Sequence, residues 1–378
     1  MDKIYEYWLC SMPDLGNKSI TRLLKSFGSP RAVYEAKEDD LRLLLTERQT
    51  EIVKVSRNEF DLHKEYENIK DKNIHFLTIE EKDYPGRLKL IPDAPYGVFV
   101  KGMLPEEEQI SVAVIGARDC SEYGRYIAQE LGRELAENKI QVISGLARGI
   151  DGISQDAALR AGGTSFGVLG CGVDICYPSQ NRQIYEALLE QGGLLSIYPP
   201  GTKPQPYYFP PRNRIVSGLA DAVVVIEARQ KSGTLITVDM ALEQGREVYA
   251  VPGRITDRLS DGCNKLINQG AGVLLSPKDF IAEIKMLLSE KQLFSHTLNE
   301  LTKNVPHTSP MTAAAADIQD EADLLLTYLD FYPQSIEEIK SKLPQEYTYT
   351  QILSLLIQLS INGKAVQVSG GHFLKRQP

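Results

Sequence analysis

Six apolar runs constrain this chain more than any other feature: "VAVIG", "IQVISG", "SFGVLG", "LLSIYP", "AVVVIEA" and "EVYAVPG", spread over residues 112–253. They are rich in Val, Ile and Leu and do not alternate with polar residues, so each strand must be buried on both faces. Amphipathic stretches separate them, and the spacing predicts helices over 122–138, 151–162, 180–191, 211–219 and 234–245. Parallel neighbours need crossovers of that length. The expected fold class is therefore α/β, a doubly wound Rossmann-like parallel sheet over residues 70–288.

The flanks differ in character. Residues 1–69 read as short helices, with Leu15, Ile20, Leu23, Leu24 and Phe27 near helical spacing and Gly16 and Gly28 as punctuation. Their Leu-Gly turn before a helix resembles SAM-like and helix-hairpin-helix modules, and a purely structural cap fits equally well. A lead-in segment with β-prone runs and prolines, "IHFLTIEEKDYPGRLKLIPDAPYGVFVKG", begins at Ile74. Ser, Thr, Pro and Ala crowd the second half of residues 289–318, as in a linker. Residues 319–378 predict three helices and a Gly-Gly hairpin, the order of a winged helix. Its presumed recognition helix has no Lys or Arg before Lys364, so a protein-contact role is expected there rather than groove reading.

Open parallel sheets bind ligands beyond the carboxyl ends of their strands. Those ends carry "GARDCSEYGR", "SGLARGID", "GCGVDICYP", "FPPRNRIVSG" and "EARQKSGTLIT". Glycine turns that open a helix let backbone N–H groups approach an oxyanion, and guanidinium forks complete a phosphate grip. The candidate phosphate-binding residues are Gly116, Arg118, Ser144, Gly145, Arg148, Gly149, Arg212, Asn213, Arg214, Lys231, Ser232, Gly233 and Thr234. Arg125 and Arg160 are expected to be solvated helix residues. Asp151 is expected to orient the turn after Arg148, and Glu227 to pair with an arginine.

The same stretch limits the chemistry. Neither G-x-G-x-x-G nor G-x-x-x-x-G-K-[ST] occurs, which argues against an ordinary NAD or ATP site. All five histidines, His63, His75, His296, His307 and His372, lie outside residues 76–295. Residues 76–295, which carry the six apolar runs and their turns, thus offer no histidine as a general base. Cys10, Cys120, Cys171, Cys176 and Cys263 form no C-x-x-C pair and are expected to be free thiols. No apolar run is long enough to span a bilayer, so a cytoplasmic location is expected, with no cofactor and no metal. The formal charge is −8. Bulk attraction to a polyanion is excluded, and any such partner needs a local basic pocket.

The ordered blocks "VIGARDCSEYGR", "VISGLARGIDGISQDAALRAGG", "GVLGCGVDICYP", "FPPRNRIVSGLADAVVVIEARQKSGTLIT", "ALEQGREVYAVPGR" and "GCNKLINQGA" resemble the DprA/Smf family, the DNA-processing proteins of bacterial recombination and natural transformation. The resemblance runs through residues 80–275. It implies a binding protein rather than an enzyme. Such a protein holds single-stranded DNA, forms a homodimer and helps load RecA, with single-strand-binding protein as a further candidate partner. It places DNA binding on Arg118 and Lys231, with Arg148, Arg212 and Arg214 in matching blocks. Two positions depart from the family pattern: Ser154-Gln155 stands where Ala-His is common, and Ser196-Ile197 where Ser-Glu is common. Both are expected near the pocket rim. The alternative is a nucleotide- or phosphoribosyl-processing enzyme on the same architecture. Tyr207, Tyr208 and Phe209 are expected either to stack on bases or to pack under their loop.

Overall fold

The computed structural model describes residues 3–289, 324–343, 347, 349–361, 363–368 and 372–376. Most of the expected linker, 290–318, lies outside them. The chain divides into two compact units, Met1–Met286 and Leu287–Pro378.

The first unit is built on a nine-stranded sheet: β1 (Ile74–Thr78), β2 (Gly97–Gly102), β3 (Ser111–Gly116), β4 (Gln141–Ser144), β5 (Ser165–Val168), β6 (Gly192–Ser196), β7 (Ala222–Ile226), β8 (Glu247–Ala250) and β9 (Gly272–Val273). Their spatial order is β1-β2-β6-β5-β4-β3-β7-β8-β9. From β6 to β9 every pairing is parallel. β2 joins β6 antiparallel and β1 joins β2 antiparallel. Each of the six apolar runs supplies one strand, β3 to β8. The lead-in segment adds the antiparallel edge, which its prolines had obscured. Successive strands step one way from β3 to β6, then the other way from β7 to β9. The reversal point lies between β3 and β7, where an open α/β sheet has its natural crevice.

The helices that follow these strands are α8 (Glu122–Glu137), α9 (Ile150–Arg160), α10 (Arg182–Gln191), α11 (Phe209–Gly218), α12 (Gly233–Glu243) and α13 (Asp261–Asn268). One core packs Leu88, Ile215, Val216, Val238, Ala241, Cys263 and Leu266 against Ala113, Ile115, Val223 and Val225 of the sheet. Gly132 brings α8 close to α9, because a Cβ there would overlap the Ser154 carbonyl oxygen. Among the described residues Arg125 and Arg160 form ion pairs only along their own helices, with Glu122 and Asp156, and are solvated as expected.

Ahead of the sheet come α1 (Lys3–Cys10), α2 (Gly16–Phe27), α3 (Pro30–Glu35), α4 (Glu38–Arg42), α5 (Glu47–Glu59) and α6 (Leu62–Asp71). Trp8, Leu9, Leu15 and Leu23 are fully buried. They share a core with Phe76 and Phe99 of the sheet edge and with Tyr185 and Leu188 of α10. Asn17 fastens the Leu15–Gly16 turn by donating to the Asp93 and Ala94 carbonyls and accepting from the Tyr96 N–H.

In the second unit, helices over 324–328, Ile336–Lys342 and Tyr349–Ile361 precede the antiparallel strands Ala365–Val368 and His372–Lys375. Leu325, Ile339, Leu356 and Phe373 are among its buried side chains. Among the described residues no helix is long and apolar enough to cross a membrane.

Candidate nucleic-acid interface

The loops after β3, β4 and β7 meet at the reversal point around a cavity of about 450 Å³. A smaller one of about 210 Å³ adjoins it, walled by the loop after β5. Arg118, Gly145, Ala147 and Arg212 line both.

Close backbone approach builds the junction. At the end of β3, a Cβ on Gly116 would overlap the Ile226 carbonyl oxygen of β7. Gly149 holds φ +80° against the Ala117 and Arg118 carbonyls, a conformation open to glycine alone at that contact. The Ile150 N–H donates to the Ala117 carbonyl at 3.2 Å. Arg118 and Arg148 thereby line the same smaller cavity. Leu146 and Glu227, in the loops after β4 and β7, take φ of 52° and 55°. Non-glycine residues seldom enter that region, and those that do often mark a functional loop.

Two carboxylates hold these loops. Asp151 is buried and accepts from the Gly145 N–H at 3.1 Å, as a turn-orienting residue should. Burial pushes its pKa up, against the pull of Arg212 and the Ala147 and Gly145 N–H groups. Glu227 is also buried but does not pair with an arginine. It accepts from the Ser121 N–H at 2.8 Å and from the Ser121 hydroxyl, and so anchors the start of α8.

The cations form two tiers. Arg212 lies in the floor, 5 % exposed, and donates to the Gly145 carbonyl at 2.6 Å and to the Val168 carbonyl. Burial lowers its pKa, Asp151 opposes that, and nearby Arg118 lowers it further. Asn213 accepts from the Arg212 Nε at 3.2 Å and itself lines the larger cavity. Arg118 is exposed at the mouth. Both guanidiniums lie near the Phe209 ring, its centroid 5.7 Å from Arg118 Cζ and 5.6 Å from Arg212 Cζ. Arg148 pairs with Asp119 at 2.5 Å, both exposed, so water and salt screen the pair. Lys231 is an exposed residue of the loop whose Arg229, Ser232, Gly233 and Thr234 line the cavity.

Ser232 precedes α12 without capping it, and its buried Oγ has no hydrogen-bond partner. A buried hydroxyl of this kind at a helix N-terminus is suited to a ligand oxyanion. Beside it, Gly233 leaves open space, and Thr234 donates to the Gly116 carbonyl at 3.2 Å.

Several expected site residues stand elsewhere. Ser144 is fully buried, and its hydroxyl donates to the Val114 carbonyl at 2.7 Å beside the Asp151 carboxyl, so it supports the loop from beneath rather than lining the cavity. Arg214 is drawn away to the Pro92 and Asp93 carbonyls and pairs with Asp93 at 2.9 Å. Gln155 is buried in the interior and donates to Ser165 and the Phe166 carbonyl. Ile197 lines a different groove. Neither family departure therefore lies on this rim. Tyr208 packs under its loop, 7 % exposed, while Tyr207 is 61 % exposed. Arg229 and Tyr177 were not expected here. Tyr177 stacks on Phe209 at 5.9 Å and lines the smaller cavity. The only sequence hint for it was an aromatic-proline pair after β5.

Residues 75–285 match the model of a family described as DNA recombination-mediator protein A. DNA processing protein DprA of Bacillus subtilis is 41% identical over 216 residues, 57% of this chain and 73% of that protein. Protein Smf of Synechocystis is 32% identical over 339 residues, 85% of each. The X-ray structure of DprA from Streptococcus pneumoniae superposes with a TM-score of 0.64 at 35% identity, covering 74% of this chain and 97% of that one. A DprA structure from Helicobacter pylori, described in terms of a unique single-stranded DNA binding mode, reaches 0.50 at 28% identity, covering 57% and 97%.

Proposed function

Since the chain belongs to the DNA recombination-mediator protein A family, we propose that it is a single-stranded DNA-binding recombination mediator rather than an enzyme. The strand's phosphates sit in the cavity at the β3/β7 reversal. One observation carries this reading: the buried Arg212, the exposed Arg118 and Arg229, and an unpartnered serine hydroxyl at a helix N-terminus line one cavity. The two carboxylates lining the cavity are already engaged, Asp119 with Arg148 and Asp151 with the Gly145 N–H.

In this reading Arg118, Arg148, Arg229, Lys231, Ser232 and the Gly233 N–H hold phosphates, and Arg212 supplies the field beneath them. Gly116, Gly145 and Gly149 shape the loops. The protein works as a cytoplasmic homodimer, two pockets on one strand adding avidity to modest single-site affinity. It hands the strand to RecA, with single-strand-binding protein as a further partner, and it needs no cofactor. The second unit acts as a winged helix that contacts protein.

The test is a gel shift with single- and double-stranded oligonucleotides across a salt series. Contacts to about four phosphates give a slope near −3 in log K against log salt, roughly a 50-fold loss from 50 to 200 mM. Arg118→Glu and Lys231→Glu should each abolish strand binding and leave the fold intact. Wild-type affinity in both variants overturns the assignment.

A further inference from the structure

The wall that closes the phosphate cavities has a second side. α11 turns Phe209, Arg212, Asn213 and Val216 toward those cavities, the i, i+3, i+4, i+7 face of a helix. Pro210, Pro211 and Arg214 face the other way. With Tyr207 and Tyr208 of the preceding 3₁₀ turn they line a separate groove of about 600 Å³, closed opposite by Met12 and Leu15 of the N-terminal helices. That volume is within the range of small-molecule sites, about 300–1,000 Å³.

We propose that this groove is a second nucleotide seat for the same strand. The strand leaves Arg118, crosses the Phe209 end of α11, lays its next base on Tyr207 and brings a phosphate to Lys18. The proposal rests on the strand-binding function above and extends its footprint.

Tyr207 has the properties of a stacking platform. It is 61 % exposed, so its ring is open to a partner. It stands edge-on to Tyr208 at 4.5 Å, and Tyr208 packs on Tyr198 at 4.1 Å. The Tyr198 hydroxyl donates to the Tyr208 carbonyl at 3.2 Å, which fixes the support. Aromatic rings held this way accept any base, because every base has a π-face.

The mouth offers one cation outside any ion pair among the described residues. Asp14 is paired with Arg48 at 3.4 Å and Asp93 with Arg214 at 2.9 Å. Lys18 is exposed and has no ion pair among the described residues. It lies in the first turn of α2, a twelve-residue helix with no side-chain cap. Lysine charge at the start of a helix favours a phosphate. Asp239 and Glu243 flank Lys18 on its far side. They repel a strand running past it, so the footprint ends at this seat.

Continuity makes DNA the occupant rather than a peptide. Tyr207 and Phe209 are two residues apart, so their Cα atoms are separated by at most about 7 Å. A strand gripped at Phe209 reaches Tyr207 within a nucleotide or two, well inside the roughly 4–16 nucleotides that one single-strand-binding fold covers.

The test uses the full chain and oligothymidylates of increasing length that carry 5-iodouracil at one position at a time. Photocrosslinks should map to Tyr207 from the base flanking the one held at Arg118. Tyr207→Ala and Lys18→Glu should bind the shortest oligomers like wild type and lose roughly 5- to 100-fold on longer ones. The second seat is overturned if no crosslink falls within 205–211 and both variants stay within twofold of wild type at every length. It is also overturned if the groove captures peptide while strand affinity is unchanged. Loss of binding in Arg118→Glu under those same results would leave the primary site standing. Failure of wild type to bind any oligomer would sink both.

Discussion

Arg212→Met is the substitution most informative about how this site is built. Methionine keeps an unbranched apolar stem and removes the guanidinium. The Gly145 and Val168 carbonyls lose their donor, and Asp151 loses the cation that opposes its burial. Breaking one partner of a buried charge arrangement costs about 3–5 kcal/mol, and the orphaned carbonyls, at about 1–3 kcal/mol each, are part of that sum. For a unit of this size the loss corresponds to roughly 6–20 °C in Tm. Asp151 can soften the blow by taking up a proton, because burial already raises its pKa. The penalty should therefore be smaller at pH 5 than at pH 8. The chain's single tryptophan, Trp8, is fully buried in the first unit, so its fluorescence during urea or thermal unfolding follows that unit. Arg212→Lys restores the charge without the planar fork and should fall between wild type and Met. A Met variant that loses less than about 1 kcal/mol, or loses as much at pH 5 as at pH 8, would refute the role given to Arg212.

Ser232→Ala separates binding from folding. Its Oγ has no partner, so stability should stay within about 0.5 kcal/mol, while strand affinity falls about 10- to 100-fold, the worth of one hydrogen bond to a charged group; equal affinity by fluorescence anisotropy would remove the hydroxyl from the site. Asp151→Asn tests the buried carboxyl. Since its folded pKa is raised, the native state retains a proton that the unfolded chain gives up near pH 4. Its contribution to stability thus falls as pH rises from there through the raised folded value, and is flat above it. The Asn variant should lack that falling segment, and urea midpoints that keep the wild-type slope would show the carboxyl is not its source.

The parallel sheet was legible because its strands are buried on both faces and leave unbroken apolar runs. The edge strands were not. β1 and β2 sit among prolines, and β9 has only two residues, too few for any period. At the site, glycine positions and cation types could be read directly, since a turn that opens a helix limits what can occupy it. The direction of each side chain could not. Whether Ser144 faces the cavity or Val114 depends on a carbonyl thirty residues earlier. Arg214 is a different case. A helix over 211–219 was expected, and residues two apart on a helix point to opposite sides. Arg212 and Arg214 could never have served one rim, although their shared block suggested it. Glu227 carried no sequence sign that it would hold Ser121 rather than an arginine, because that contact is made across the strand reversal.

An acidic chain that grips a polyanion must hold its cations against their own repulsion. One pair shows this: burial lowers the Arg212 pKa, Asp151 opposes that, and Arg118 lowers it further, both guanidiniums lying near the Phe209 ring. Asp151 offsets part of that repulsion from within the fold, and an anion at the mouth would offset more. A bound phosphate lies near both guanidiniums at once, so it removes repulsion as well as adding attraction, and the gain is larger than two independent contacts would give. The same logic explains why bulk charge was a poor guide. A net charge of −8 limits long-range attraction to DNA, whereas the proposed affinity depends on a few cations in the loops at the β3/β7 reversal. If so, Arg118→Glu should lose the strand and melt no lower than wild type, because the substitution replaces a repulsion with an attraction. A variant that lost binding by unfolding would show instead that Arg118 holds the loop, and that the strain in this pocket lies elsewhere.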